Sequence, residues 1–104
     1  MKEKWTGKYI GEALGVFTIV FFGDGLLHVA VLHGEVSGLF QASIGWGLAV
    51  ALAVWFGAAL SGAHYNPSVT LALAWRRGFP WSQVGPYILA QIAGGFLAAM
   101  TLGI

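Results

Sequence analysis

Apolar residues fill this chain in three long runs, and the polar positions mark where each run begins, breaks and ends. The first run, about Tyr9 to Leu32, carries Glu12 and Asp24 inside it and predicts a transmembrane helix. The segment His33-Gly34-Glu35-Val36-Ser37-Gly38 reads as a short loop. From Val36 to Trp75, about 40 residues, there is no Asp, Glu, Lys or Arg, which is too long for one span of roughly 20. The run breaks where Ser61-Gly62-Ala63-His64-Tyr65 leads into Asn66-Pro67. Proline ends a continuous helix and pushes the residue before it toward an extended conformation. Read forward, Asn66 is a good N-cap and Pro67 a good first helical residue. The pattern therefore predicts a second span over about Leu39 to Leu60, an extended entry over 61–65, and a new helix from Pro67 to near Arg77, with Gly78 as its stop. About 11 residues at 1.5 Å each reach roughly 16 Å, half of a 30 Å hydrocarbon core. A turn at Gly78-Phe79-Pro80 leads to a third span, about Trp81 to Ile104, with Pro86 tolerated near its start. The expected fold is all-α and integral to the membrane: one domain over residues 1–104, with three spans and one re-entrant half-helix.

Charge gives these elements a direction. Lys2, Lys4 and Lys8 precede the first span. Two crossings return the chain to that side, and a half-helix that dips in and comes back puts Arg76 and Arg77 there too. All five basic residues then share one face, which the positive-inside rule makes cytoplasmic. Trp5, Tyr9, Trp75 and Trp81 fall at the same interface, as an aromatic belt requires. The N-terminus is expected in the cytoplasm and the C-terminus outside.

Composition narrows the class. Nine of 104 residues are charged and the mean hydropathy is +0.77, far from a soluble domain with about a quarter of its residues charged. The apolar run after the N-terminal lysines is longer than a signal-peptide core and no A-x-A site follows it, so it reads as a retained span. There is no cysteine for a disulfide or a thiolate metal site, and no basic patch suited to nucleic acid. No nucleophile–base pair, phosphate loop or metal-ligand cluster stands out, which argues against an enzyme and against a bound cofactor. Gly11-xxx-Gly15, Ala49-xxx-Ala53-xxx-Gly57 and Ala90-xxx-Gly94-xxx-Ala98 are stripes of small residues that let helices approach closely.

The broken segment carries the chemistry. Non-helical backbone inside a bilayer survives only where protein buries it or water reaches it. The carbonyls of Gly62, Ala63, His64 and Tyr65 need donors, which a file of water or hydroxyl groups would supply. The Asn66 side-chain oxygen can accept from the Ser68 or Val69 N–H, leaving its NH₂ as a donor beside a helix end carrying roughly half a positive charge. A row of acceptors, one fixed donor and a field hostile to cations suits neutral hydroxylated solutes. The competing reading is an irregular loop packed between helices with no path through it.

Ser61-Gly62-Ala63-His64-Tyr65-Asn66-Pro67-Ser68-Val69-Thr70 resembles the first Asn-Pro-Ala box of the major intrinsic proteins, the aquaporins and glycerol facilitators. The resemblance extends over Glu12 in the first span, Gly45-Trp46-Gly47 in the second and Ala90-Gln91-xx-Gly94 in the third. It implies a six-span fold of two inverted repeats, of which this chain matches the first, so the expectation is one half of a longer protein. It also implies that Asn66 donates to the passing solute, that the carbonyls of Gly62 to Tyr65 accept from it, and that Pro67 and Ser68 start the half-helix. Glu12 is expected to anchor the loop, with snorkelling to water as its alternative, and Gln91 to hydrogen-bond it. His64 is expected to fix the loop by a side-chain hydrogen bond; a pH gate is the alternative. Asp24 could pair across helices or line the outer mouth, and is assigned a buried structural role; His28 and His33 show no metal-ligand geometry.

Trp46 falls where the resemblance places the outer constriction. Tryptophan there is similar to the glycerol facilitators, whereas water-selective members usually have Phe; read without the resemblance, it is a lipid-facing or packing residue. Ser68 departs from the usual alanine of the box. The implied function is a passive channel for glycerol and similar small polyols, also passing water, in the cell membrane among lipid and tetrameric when complete. A water-selective channel is one alternative. A half-length subunit that does not conduct alone is another; its antiparallel-dimer form conflicts with the one-sided Lys and Arg.

Overall fold

The computed structural model describes residues 5–29 and 38–103. Lys2, Lys4, His33 and all of the expected outer loop except Gly38 lie outside them. Within the described residues four α-helices follow in order: α1, Trp5–His28; α2, Leu39–Ser61; α3, Pro67–Arg76; and α4, Val84–Leu102. A 3₁₀ turn, Trp81–Gln83, leads into α4. Among the described residues, three segments are long and apolar enough to cross a bilayer: Trp5–His28, Leu39–Ser61 and Trp81–Leu102. With this composition, the chain is an integral membrane protein.

Helix α1 starts four residues before the expected Tyr9; its expected end at Leu32 lies outside the described residues. The early start has a packing cause. The Trp5 ring meets Tyr9, Phe79 and Tyr87 at centroid distances of 6.1–6.4 Å. Lys8 Nζ lies 4.4 Å over the same indole. Tyr9 donates its hydroxyl to Gln83 Oε1. The start of α1 is thereby tied to the turn before α4.

Central in the fold, α1 packs along its length against both α2 and α4, while α3 packs on α4. The α1 seams are built of small residues: Gly11, Gly15 and Gly23 on α1, Ala49, Ala53 and Gly57 on α2, Gly94 and Ala98 on α4 are all buried. At Gly94 the approach is backbone to backbone, since a Cβ there would overlap the Ala13 carbonyl oxygen. Close approach replaces the hydrophobic drive that helices lack in lipid with dispersion between matched surfaces.

Local rules account for the break between α2 and α3. Gly62 closes α2 in the left-handed conformation, φ 86°, with its N–H on Ala58 O at 2.9 Å. Asn66 opens α3 from an extended backbone, accepting from Ser68 N–H at 2.7 Å, with Pro67 at the first position. The helix ends at Arg76, with Gly78 at φ 78° just beyond. Pro86 is the third residue of α4, where a missing N–H breaks no intrahelical bond.

Candidate functional site

Between Gly62 and Asn66 the backbone leaves ordinary space. Ala63 and Tyr65 adopt φ of 54° and 57°, a left-handed conformation costing a non-glycine residue about 1–2 kcal/mol. Backbone pairing stops at Gly62 N–H and resumes with Thr70 N–H on Asn66 O at 3.1 Å. Among the described residues, the carbonyls of Gly62, Ala63, His64 and Tyr65 accept from no backbone donor. Gly62 and Asn66 are exposed on this surface.

Behind the loop sits Glu12, completely buried despite its charge. Its two oxygens accept four hydrogen bonds from neutral donors. Oε2 takes the Ser61 hydroxyl at 2.7 Å and the His64 N–H at 3.0 Å. Oε1 takes the Tyr65 N–H at 2.8 Å and Gln91 Nε2 at 2.8 Å. Bonds to an ionised acceptor are worth about 1.5–3 kcal/mol each, enough together to offset left-handed strain at two residues. The Glu12 side chain reaches no solvent in this structure. A carboxylate on α1 thus organises a loop lying some fifty residues further along the chain.

Gln91 and Thr70 extend the cluster. The Gln91 amide donates to both Glu12 Oε1 and Thr70 Oγ1, the latter at 2.9 Å. The opposite amide orientation would set an oxygen against the carboxylate, so donation fixes the side chain. Gln91 Oε1 is buried without a partner among the described residues. The Thr70 hydroxyl donates to Asn66 O at 3.2 Å and lies 3.0 Å from His64 Nδ1. His64 is itself buried, its ring 4.7 Å from Phe79 and 4.8 Å from Tyr87. The Tyr87 hydroxyl donates to Ser61 O at 2.7 Å, closing the last carbonyl of α2.

Glu12, His64 and Gln91 therefore come together in one buried cluster, with Tyr65 half-buried against it. Asn66, Pro67 and Ser68 stand at its exposed edge. Trp46 lies elsewhere. Fifteen residues before Ser61 on α2, it is about 22 Å away along the helix axis. There it is half-buried, and its six-membered ring covers Gly23 so closely that a Cβ on Gly23 would overlap it. Asp24 is half-buried rather than buried. Sequence reasoning gave no role to Ser61, Thr70 or Tyr87. Each is a polar group in an apolar helix, and Tyr87 sits one turn before Gln91, so asking what each would bond inside a membrane could have found them.

The arrangement is a helical membrane domain whose re-entrant loop is held from behind by a buried carboxylate and exposes backbone acceptors and an N-capped half-helix. The chain belongs to the major intrinsic protein family, whose model matches residues 1–104. It is 44% identical over 95 residues to a probable glycerol uptake facilitator protein of Thermotoga maritima, a match covering 88% of this chain and 41% of that protein. It is 48% identical over 99 residues to the glycerol uptake facilitator protein of Haemophilus influenzae, covering 95% and 38%. An aquaporin of Laccaria bicolor is 41% identical over 92 residues, covering 88% and 35%. The chain thus spans about two-fifths or less of the length of these curated relatives.

Proposed function

We propose that this chain supplies one half of a passive membrane channel for glycerol and similar small neutral solutes, which also passes water. The observation that carries this reading is the loop of residues 62–65, pinned from behind by Glu12 so that its carbonyls are left without backbone partners. Inside a membrane those acceptors need donors, and the hydroxyl groups of a polyol or water are donors of the right kind. Because Asn66 Oδ1 is occupied by Ser68 N–H, the amide presents its NH₂, a donor for a solute oxygen. The half-helix start beside it opposes cations. Trp46 supplies a flat apolar wall for the CH edge of a polyol. The glycerol facilitators among the relatives support this choice over a water-selective channel.

In this reading the second, facing half comes from a repeat like the one the family resemblance implies, and the completed protein is a homotetramer in the cell membrane. A cytoplasmic N-terminus is supported by the basic residues. Lys8 lies near the start of α1, Arg76 and Arg77 at the end of α3, and the Trp5–Phe79 contact joins those two ends. The test is solute flux into liposomes carrying the protein expressed from its uninterrupted reading frame. Glycerol and water flux above the lipid background is expected, with protons excluded. Flux equal to that of empty liposomes would overturn the reading.

A further inference from the structure

We propose that Tyr65 is a positioning residue for the solute path, its ring acting as a peg between Gly15 and Gly57 that holds the loop carbonyls in their exposed arrangement; the proposal rests on the channel reading above. Four observations meet at this residue. Its backbone is left-handed, φ 57°, where a side chain is disfavoured. Its N–H is bonded to Glu12 Oε1 on α1 at 2.8 Å. Its hydroxyl donates to Ala53 O on α2 at 2.7 Å. Between those fixed ends the ring fills a slot with no side chain on either wall, for a Cβ on Gly15 would overlap the ring and one on Gly57 would overlap the hydroxyl.

A non-glycine residue stays left-handed only when its surroundings over-determine it. Released, it would rotate toward the right-handed or extended region, and the carbonyl attached to the same peptide unit would swing with it. The peg prevents that rotation from two helices at once. Ala63, the other left-handed non-glycine residue of the loop, has only a methyl group to seat and is held through its N–H on Ser61 Oγ at 3.1 Å. Gly15 and Gly57 therefore do more than let α1 and α2 touch: the space they leave is taken by Tyr65. Ala53 O, one residue position in the same stripe, receives the hydroxyl as a second donor beside its helical partner.

The experiment combines glycerol flux in liposomes with hydrogen exchange at the His64 amide, which reports the loop in every variant because it bonds Glu12 Oε2. The protein is the product of the uninterrupted reading frame. Tyr65→Phe, which keeps the ring, should lower glycerol flux about fivefold, the weight of one buried hydrogen bond. Gly57→Ala should lower flux and speed His64 exchange about tenfold, with the protein still inserted and folded. Gly57→Ala combined with Tyr65→Leu, a smaller side chain for a smaller slot, should bring both readouts back from the Gly57→Ala values to about those of Tyr65→Phe, which lacks the same hydroxyl bond. A merely structural loss at Gly57 would not be rescued by shortening Tyr65. Unchanged flux and exchange in Gly57→Ala, or no rescue in the double variant, would overturn the peg while a conducting wild type leaves the channel reading standing. A wild type that conducts nothing would overturn the channel reading first and the proposal with it.

Discussion

Gln91 Nε2 on α4 lies 2.8 Å from Glu12 Oε1 on α1, joining helices 79 residues apart in the chain at the point where both meet the broken segment. The same carboxylate takes the N–H groups of two consecutive loop residues, so the two helices and the loop share one buried centre. Glu12→Gln keeps the size of that centre and removes its charge. An amide has one acceptor oxygen where the carboxylate has two, and its NH₂ would face donors. At least two of the four bonds should be lost, destabilising the fold by about 3 kcal/mol or more. Denaturant unfolding in micelles checks this, together with faster amide exchange at His64 and Tyr65. Wild-type protection of both amides would show that the loop does not depend on the carboxylate.

Trp46 on Gly23 gives a second prediction. The glycine leaves room for the indole against α1, so Gly23→Ala should drive the ring away from the helix. Trp46→Phe removes part of the apolar wall instead. Both should change glycerol flux more than water flux: Trp46→Phe by lowering the glycerol-to-water ratio, Gly23→Ala by shifting it. A ratio that stays at the wild-type value in both variants would deny Trp46 the solute-facing place proposed for it.

Tyr87 separates ring from hydroxyl. Its ring packs on His64, Phe79, Trp5 and Tyr9, and its hydroxyl bonds Ser61 O. Tyr87→Phe should cost about 1 kcal/mol, the usual net value of one hydrogen bond. Tyr87→Ala should cost about 3–5 kcal/mol, because it also empties the site the ring fills. Unfolding midpoints of the two variants measure the difference; equal losses would mean that the ring contributes nothing beyond its hydroxyl.

What could be read from the chain divides by range. The start of α3 at Asn66-Pro67 and the glycine stop of α2 are local, set by the conformations that proline, asparagine and glycine favour within a few residues. The small-residue stripes announced close approach, but not what would approach: at Gly15 and Gly57 it is a tyrosine from the loop, and at Gly94 a helix backbone; Gly23, outside those stripes, meets an indole. The tie from Glu12 to the loop came through family resemblance, since nothing local links residue 12 to residue 64. Thr70 and Tyr87 stayed silent because their partners, His64, Gln91 and Ser61, become neighbours only after the helices pack. Helix α1 began earlier than its hydropathy suggests for the same kind of reason, an aromatic contact between Trp5 and residues more than 70 positions away.

Asn66→Asp probes charge with little change in fold. Aspartate is as good an N-cap as asparagine, and its oxygen can take the Ser68 N–H now held at 2.7 Å. Helix α3 should therefore keep its start, and stability should change by less than about 1 kcal/mol, with the new charge favoured by the helix dipole. Its effect on the path is the reverse of neutral. The residue loses its NH₂ donor and places a negative charge where the half-helix end opposed cations. Neutral-solute flux should fall and proton or cation leak should rise, measured in the same liposomes with a pH-sensitive dye beside light scattering. Unchanged glycerol flux together with unchanged ion exclusion would deny Asn66 its place on the path, because no residue in contact with the solute could exchange a donor for a charge and leave both untouched.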